Sequence, residues 1–332
     1  MQQTLQKKPS SDHLSAIVAS MAASRTATLE DVLAMRKIIY AQTLVTENDA
    51  SLVLALDDSL IDFDPSWTEL LIEVVCDFLV YQNLPEGYID HAKAQWLLKK
   101  ISVNGFVKSD TELEVLIKVI EASRRVPHFL TAFALQQVKE AVLNGEGPLA
   151  RGGVLQKDRI THSEVALLRR ILTASAGEAH IAISRSEAEI LFELHEATLG
   201  TDNDPEWQEL FVQSLAHYLA ATSLHHASLD VGSVLNDGYI NGLFLKMTSS
   251  CSAAVHHALN QVTPKHEPVI DIAAHHATQG QQVDVDVDVD WLMKRIMRDS
   301  HVSEIETKLL KYLHQDHPHL ELNIKHYIAN VA

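Results

Sequence analysis

The chain is poor in several residue types, and each shortage excludes a class of protein. Only two of its 332 residues are cysteine, too few for a disulfide framework. No stretch reaches the roughly 18 uninterrupted apolar residues that suggest a membrane-spanning helix. The first eight residues are polar and no long apolar core follows them, so the sequence predicts no signal peptide. Together these absences predict a cytoplasmic protein without a transmembrane segment.

Basic residues are also scarce relative to acidic ones. The chain has 27 Lys and Arg residues against 44 Asp and Glu residues, which gives a formal net charge of −17. Nucleic acids and anionic membranes are bound mainly through basic surfaces, so this charge argues against both as partners. A basic partner or a cation is compatible with the charge, although an acidic surface that only keeps the protein in solution is the simpler interpretation.

Proline and glycine are few, and most lie between stretches with helical periodicity. The chain has 9 Pro and 12 Gly residues. Apolar residues in segment 165–172 recur at the spacing of one helix face. Ser184 followed by Glu187 has the pattern of a capping box, in which two side chains satisfy the free amides of a helix start. Thr28 with Asp31 has the same pattern. The sequence therefore predicts an all-α fold.

One motif occurs twice. Segments 62–70 and 202–210 both read Asp-x-Asp-Pro-x-Trp-x-Glu-Leu, at an offset of 140 positions. An Asp before a Pro favours a helix start, because Asp caps free amides and Pro fits the first helical turn. We therefore interpret the motif as a helix start followed by a buried tryptophan anchor. Its residues are Asp62, Asp64 and Trp67 in the first copy, and Asp202, Asp204 and Trp207 in the second.

The similarity extends beyond the motif. Trp96 and Trp291 each begin the pattern Trp-Leu-x-Lys-x-Ile. The two tryptophans of a copy are 29 positions apart in the first copy and 84 apart in the second, so the second contains an insertion of about 55 residues. Repeated patterns predict repeated folded units. We predict two tandem homologous helical lobes, arranged as follows: an N-terminal tail or short helix at 1–27, lobe 1 at 28–146, a glycine-rich linker at 147–157, and lobe 2 at 158–332 with an insertion at 224–288.

The end of the insertion alternates between valine and aspartate. Residues 283–290 read Val-Asp four times, a period that suits a short β-strand. Four like charges would then lie on one face, and Trp291 follows at once. We therefore predict an extended lead-in to the helix that begins near Trp291.

Histidine is abundant and concentrated in the second half. Sixteen of the 19 histidines lie at or after position 162. Imidazole is a common ligand of transition metals, so these histidines are candidate ligands of zinc, nickel or iron, and the aspartates of the repeated motif are candidate ligands of a cation such as calcium. The other interpretation is polar histidine in a variable insertion, with the motif aspartates acting only as helix caps. The candidate ligands are His225, His256, His257, His275, His276, Asp202 and Asp204.

The loops at 104–112 and 182–187 share one order of residues: a polar turn, an aliphatic residue, a capping residue and a glutamate. This scheme resembles the loops of tellurite-resistance TerB-like helical domains and, more distantly, EF-hands. The wider layout, including segment 145–152, is similar to a group of uncharacterised bacterial proteins with two such lobes. The resemblance implies helix-loop-helix units. With Gly105 at the EF-hand glycine position, Lys100 and Thr111 would replace the first and last carboxylate ligands, so this loop is not predicted to bind calcium.

Motifs of common enzyme families are missing from the sequence. It contains no Gly-x-Ser-x-Gly, no phosphate-binding glycine loop and no dinucleotide-binding fingerprint. We therefore predict a non-enzymatic helical interaction or scaffold protein without a cofactor, which self-associates or binds a protein partner. The alternative is a metal-binding or metal-sensing protein that uses the C-terminal histidines or the carboxylates of the repeated motif.

Overall fold

The computed structural model describes residues 9–41, 44–82, 84–145, 147, 157–176, 183–229, 285–298 and 302–316. Within these ranges the chain forms twelve α-helices, one π-helical turn and four two-residue strands. The fold is mostly helical, which confirms the predicted all-α class. None of the helices in these ranges is long and apolar enough to cross a membrane.

The N-terminal half contains seven of the helices and all the strands of the described chain. Parallel strands β1 and β2 join the regions before α2 and α4, and antiparallel strands β3 and β4 form a short hairpin between α5 and α6. The elements are α1 (Pro9–Ser24), β1 (Thr26–Ala27), α2 (Leu29–Ile39), α3 (Glu47–Asp57), β2 (Asp62–Phe63), α4 (Ser66–Cys76), the π-helical turn (Asp77–Tyr81), α5 (His91–Ile101), β3 (Ser102–Val103), β4 (Phe106–Val107), α6 (Asp110–Ala122) and α7 (His128–Asn144).

The C-terminal half contains the other five helices. They are α8 (His162–Ala176), α9 (Arg185–Ala197), α10 (Pro205–Leu229), α11 (Val285–Ile296) and α12 (Glu304–Asp316). Because α10 continues to Leu229 and α11 begins at Val285, both ends of the segment that we predicted as an insertion, 224–288, lie in helices. The residues between these two helices lie outside the described part of the chain.

Side-chain caps fix several helix starts. The predicted capping boxes of Thr28 with Asp31 and of Ser184 with Glu187 are confirmed. A further box of the same kind begins α3, where the Thr46 side chain accepts from the Asp49 amide and Asp49 accepts from the Thr46 amide. Such reciprocal caps satisfy amides that have no partner within the helix. The local sequence therefore determines where these helices begin.

Both motif tryptophans lie in the hydrophobic core, as predicted. Trp67 and Trp207 are 0% exposed. Trp67 lies in α4, which packs against α2, α3 and α6. Trp207 lies in α10, which packs against α8, α9, α11 and α12. Each tryptophan is thus carried by the central helix of its half, and that helix contacts the two helices before it.

The two halves meet along four helices. Helix α7 packs against α8 and α9, and α6 packs against α8. Arg170 of α8 reaches across to α6, where its guanidinium lies 2.9 Å from Glu114 and 2.8 Å from Glu121. These ion pairs are partly exposed and so contribute little stability. The buried apolar side chains of α6 to α9 therefore hold the halves together, and the charges fix their register.

One local prediction is wrong. Residues 285–290 of the Val-Asp run are not extended; they form the first turns of α11. Acidic side chains are favourable near a helix N-terminus, where they interact with the positive end of the helix dipole. The buried side chains of Trp291, Leu292 and Ile296 anchor the rest of that helix. The two-residue period of the run was therefore overridden by the helix that follows it.

Candidate functional site

The first-copy aspartates Asp62 and Asp64 lie at the start of α4. Asp64 accepts hydrogen bonds from the backbone amide of Ser66 at 2.9 Å and from its hydroxyl at 2.6 Å. These hydrogen bonds lower the pKa of Asp64. Asp62 is an exposed residue of β2. The geometry of Asp64 is that of a helix cap, which agrees with the structural interpretation of the motif.

The second-copy aspartates have a similar arrangement at the start of α10. Asp204 accepts from the Glu206 amide at 2.9 Å, and His162 Nδ1 lies 3.8 Å from its other oxygen. The Asp202 side chain is 96% exposed and lies 3.8 Å from Arg159. Among the residues with described positions, no three His, Cys, Asp or Glu side chains form a group able to hold a metal ion.

The side chains of the predicted histidine ligands are not among those that the structure describes. His225 lies in α10, but its side chain is outside the described part of the chain, and so are His256, His257, His275 and His276. Their metal binding stays a prediction. Elemental analysis of tag-free protein, purified without chelator or a nickel column, should find about one equivalent of a divalent metal per chain if it holds. A metal-free protein would contradict it.

The Trp67 indole connects the repeated motif to a buried carboxylate. Its Nε1 donates a hydrogen bond of 2.7 Å to Asp57 at the end of α3. The Ser109 hydroxyl, which caps α6, lies 3.5 Å from the second oxygen of Asp57. Burial raises the pKa of Asp57 in spite of these hydrogen bonds. The Asp57 carboxylate therefore ties together the ends of α3, α4 and α6.

A second carboxylate lies deeper in the same cluster. Glu112 of α6 is 0% exposed. Lys108 Nζ lies 3.1 Å from Glu112 Oε1 and 2.7 Å from the nearer oxygen of Asp58, while Glu112 Oε2 has no hydrogen-bond donor among the described residues. Burial raises the pKa of Glu112 to about 7, because the lost hydration outweighs the attraction to Lys108. This side chain therefore changes charge near neutral pH.

The C-terminal half contains a different cluster, in which His195 and Trp207 both pack against Phe211. His195, at the end of α9, lies 3.0 Å from the hydroxyl of Ser303, which caps α12. Glu306 accepts a hydrogen bond of 2.7 Å from the Ser303 amide. Trp207 Nε1 is buried and has no acceptor within the described part of the chain. Both clusters lie at helix ends, where they connect helices that are separate in sequence.

The described surface includes a smaller and a larger depression. One, of about 300 Å³, lies between the loop 198–204 and the start of α12. The other, of about 550 Å³, lies along α8 and is bordered by Arg169 and Arg170. Arg169 pairs with Glu206 at 2.8 Å, and Arg170 pairs with Glu114 and Glu121, so the charges along this groove are neutralised within the chain. The smaller depression is bordered by His195 and Ser303.

A group of exposed apolar side chains begins at the last residue of the π-helical turn and ends just before α5. We call residues 81–82 and 84–88 the Leu84 loop. Leu84 is 98% exposed, and Tyr81 and Tyr88 beside it are 50% and 42% exposed. Neighbouring exposed apolar side chains are typical of protein interaction sites, whereas isolated ones are ordinary. The Leu84 loop is therefore the candidate functional site. No motif in the sequence indicated this loop.

Backbone hydrogen bonds hold the base of the Leu84 loop in place. The Gly87 amide donates to Val80 at 3.1 Å, and the Gly87 carbonyl accepts from Arg124 at 2.8 Å. The Ile89 amide donates to the Arg125 carbonyl at 3.0 Å. These bonds connect the loop to the turn between α6 and α7. The apolar side chains are thus presented on an ordered backbone, which lowers the entropy that binding would cost.

Gly87 is required for this conformation. Its φ is +84°, a region that side-chain-bearing residues rarely adopt, and an added Cβ would lie 2.8 Å from Arg124 Cγ. Gly87→Ala is therefore expected to lower the free energy of unfolding by about 2 kcal/mol in urea denaturation. The matched control is Gly105→Ala, which has a φ of +85° but nothing within 4 Å of the added Cβ. It should lose only about 1 kcal/mol. Equal losses would contradict the steric argument.

The chain was compared with protein-family models, with curated proteins and with solved structures, and none of the three comparisons found a match.

Proposed function

We propose that this chain is a non-enzymatic helical interaction protein that self-associates. The observation that carries the proposal is the Leu84 loop, where an almost fully exposed leucine stands between two partly exposed tyrosines. Burying one such side chain contributes roughly 1.5 to 3 kcal/mol. Tyrosine is also enriched among the residues that dominate binding energy at protein interfaces.

We further infer that the two halves are copies of one helical unit, with an insertion in the second copy between α10 and α11. The packing of α4 and of α10 against corresponding neighbours supports this inference, and so does the matching position of Trp67 and Trp207. The unit formed by α5, the hairpin of β3 and β4, and α6 is compatible with the resemblance to TerB-like units. A duplicated unit gives related surfaces, and the insertion makes one of them different.

Self-association is tested by measuring the mass of the full chain with light scattering after gel filtration at several concentrations. The average mass of the wild type should rise with concentration. Leu84→Asp should keep the protein monomeric, because a charge would be buried without a partner. The control is Leu44→Asp, at a leucine that is 59% exposed elsewhere on the same half. Its mass should follow the wild type. A wild type that is monomeric at every concentration would overturn the proposal.

A further inference from the structure

The smaller depression brings a histidine and a serine together. The Nε2 atom of His195 lies 3.0 Å from the hydroxyl oxygen of Ser303, and both residues border the depression of about 300 Å³. His195 is only 1% exposed, and its ring packs against Phe211 with 4.8 Å between the ring centroids. Ser303 is half-buried. The histidine is therefore held in place, while the serine lies at a space that is open to a small molecule.

A histidine nitrogen at this distance from a hydroxyl can act as its general base. With the ring proton on Nδ1, the Nε2 atom of His195 accepts the hydroxyl proton of Ser303, and the serine oxygen becomes a stronger nucleophile. The backbone amide of Glu306 donates to the same oxygen at 3.2 Å, which fixes its position at the start of α12. The pair thus has the separation that proton transfer requires.

The start of α12 also supplies donors for negative charge. Glu304 and Ile305 border the depression. Their amides belong to the first helical turn, where no carbonyl of the same helix accepts them. Amides at a helix N-terminus stabilise an oxygen that becomes negative, as the carbonyl oxygen of an ester does when it is attacked. A nucleophile, a base and donors for the developing negative charge are therefore combined in one place.

The first half has a different pair at the corresponding position. Asp57 and His195 each lie eleven positions after the residue that caps their helix. The Ser109 hydroxyl lies 3.5 Å from Asp57, as Ser303 lies beside His195, and both serines are half-buried helix caps. Asp57, however, accepts a hydrogen bond of 2.7 Å from Trp67. Ser109 is therefore an internal reference for a serine that lacks the imidazole.

We propose that Ser303 is a covalent acyl acceptor, with His195 as its general base and an uncharged ester or thioester of a short acyl chain as the donor. The Ser303 oxygen forms a bond to the acyl carbon, and its proton moves to His195 Nε2. The alkoxide or thiolate then leaves with the electron pair of its bond to the acyl carbon, and takes the proton from His195. One acyl group per chain becomes esterified to Ser303. This modification goes beyond the proposed function and does not require self-association.

The surroundings of the depression select an uncharged donor. Three carboxylates border it, those of Asp202, Asp204 and Glu304. Asp202 and Glu304 have cationic neighbours outside the border, Arg159 at 3.8 Å and Lys308 at 3.3 Å, while Asp204 caps α10. No Lys or Arg is among the described residues that border the depression, so an anionic donor would lack a counter-charge there. The volume is at the small end of the range for ligand pockets, which suits a short acyl chain.

The test exposes the full chain to 4-nitrophenyl acetate, an uncharged ester, and follows the acetylation of single serines by peptide mass mapping after an acid quench. In the wild type, Ser303 should be acetylated at least about a hundredfold faster than Ser109, because general-base catalysis accelerates a transfer by that order. His195→Gln should slow the acetylation of Ser303 about a hundredfold for the same reason.

Two matched substitutions separate the nucleophile from the helix cap. Ser303→Asn should remove the fast acetylation while it keeps the cap of α12, because asparagine caps a helix as well as serine does. Ser109→Asn is the same change at the cap of α6, and it should leave the acetylation of Ser303 at the wild-type rate. Thermal melting of each variant checks that it is folded.

The comparison of Ser303 with Ser109 in the wild type does not depend on the folding of any variant. Equal acetylation rates of these two serines would overturn the proposal. A folded His195→Gln variant in which Ser303 reacts as fast as in the wild type would also overturn it. Leu84→Asp should be acetylated at Ser303 like the wild type, so this test and the test of self-association have separate outcomes.

Discussion

Replacing Glu112 with glutamine is expected to stabilise the protein by about 2 kcal/mol at about pH 8 and to change stability little at about pH 5. Glu112 is fully buried, and burial raises its pKa to about 7 from the usual 4.5. Glutamine has nearly the shape of the neutral acid and cannot ionise. The variant therefore removes the cost of holding a charge in the core above neutral pH.

The sign of the stability change in Glu112→Gln follows from the linkage between proton binding and folding. A carboxyl group with a raised pKa in the folded state contributes stability that is fully present below its unfolded pKa, which for Glu112 is 4.5. That contribution is lost as the pH rises through the folded value of about 7. Other titrating groups are common to both proteins, so they largely cancel when the variant is compared with the wild type.

Urea denaturation at several pH values measures the effect of Glu112→Gln. The variant and the wild type should diverge between about pH 5 and about pH 8, with the variant more stable at the higher pH. Glu30→Gln, at an exposed residue of α2, controls for the loss of one formal charge. A stability difference that does not change with pH would show that Glu112 does not bind a proton in this range.

Trp67→Phe is expected to destabilise the protein more than Trp207→Phe, although both side chains are fully buried. Each substitution leaves a cavity that costs about 2 kcal/mol. Trp67 also donates to the buried Asp57 at 2.7 Å, whereas Trp207 Nε1 has no acceptor in the described part of the chain. Removing a donor from a buried acceptor costs roughly a further 1 to 2 kcal/mol.

Unfolding free energies of the two phenylalanine variants test this difference directly. The two substitutions are chemically identical and lie at the same position of the repeated motif, so each serves as the control for the other. The expected loss is about 3 to 4 kcal/mol for Trp67→Phe and about 2 kcal/mol for Trp207→Phe. Equal losses would mean that the bond between Trp67 and Asp57 contributes nothing to stability.

Local sequence patterns predicted the helix starts and the buried tryptophans, because capping depends on residues only a few positions apart. Ser184 with Glu187 and the motif aspartates are examples. The Val-Asp run before Trp291 was misread, since its two-residue period was overridden by the helix to which it belongs. The two-residue period of the run does not show that the helix around Trp291 extends back into it.

The Leu84 loop and Glu112 were not predictable in the same way. Tyr81, Leu84 and Tyr88 have the spacing of a helix face, which normally predicts burial, although Pro85 and Gly87 are local signs that the helix has ended. Glu112 has the pattern of an ordinary capping glutamate. Its burial depends on α4 packing against α6, which brings together residues far apart in sequence.

The most direct test of self-association is sedimentation equilibrium of the wild-type full chain over a roughly hundredfold range of concentration. We predict that its average mass rises from that of one chain towards that of two, and that Leu84→Asp abolishes the rise. A wild-type mass that stays at one chain throughout the range would contradict the account.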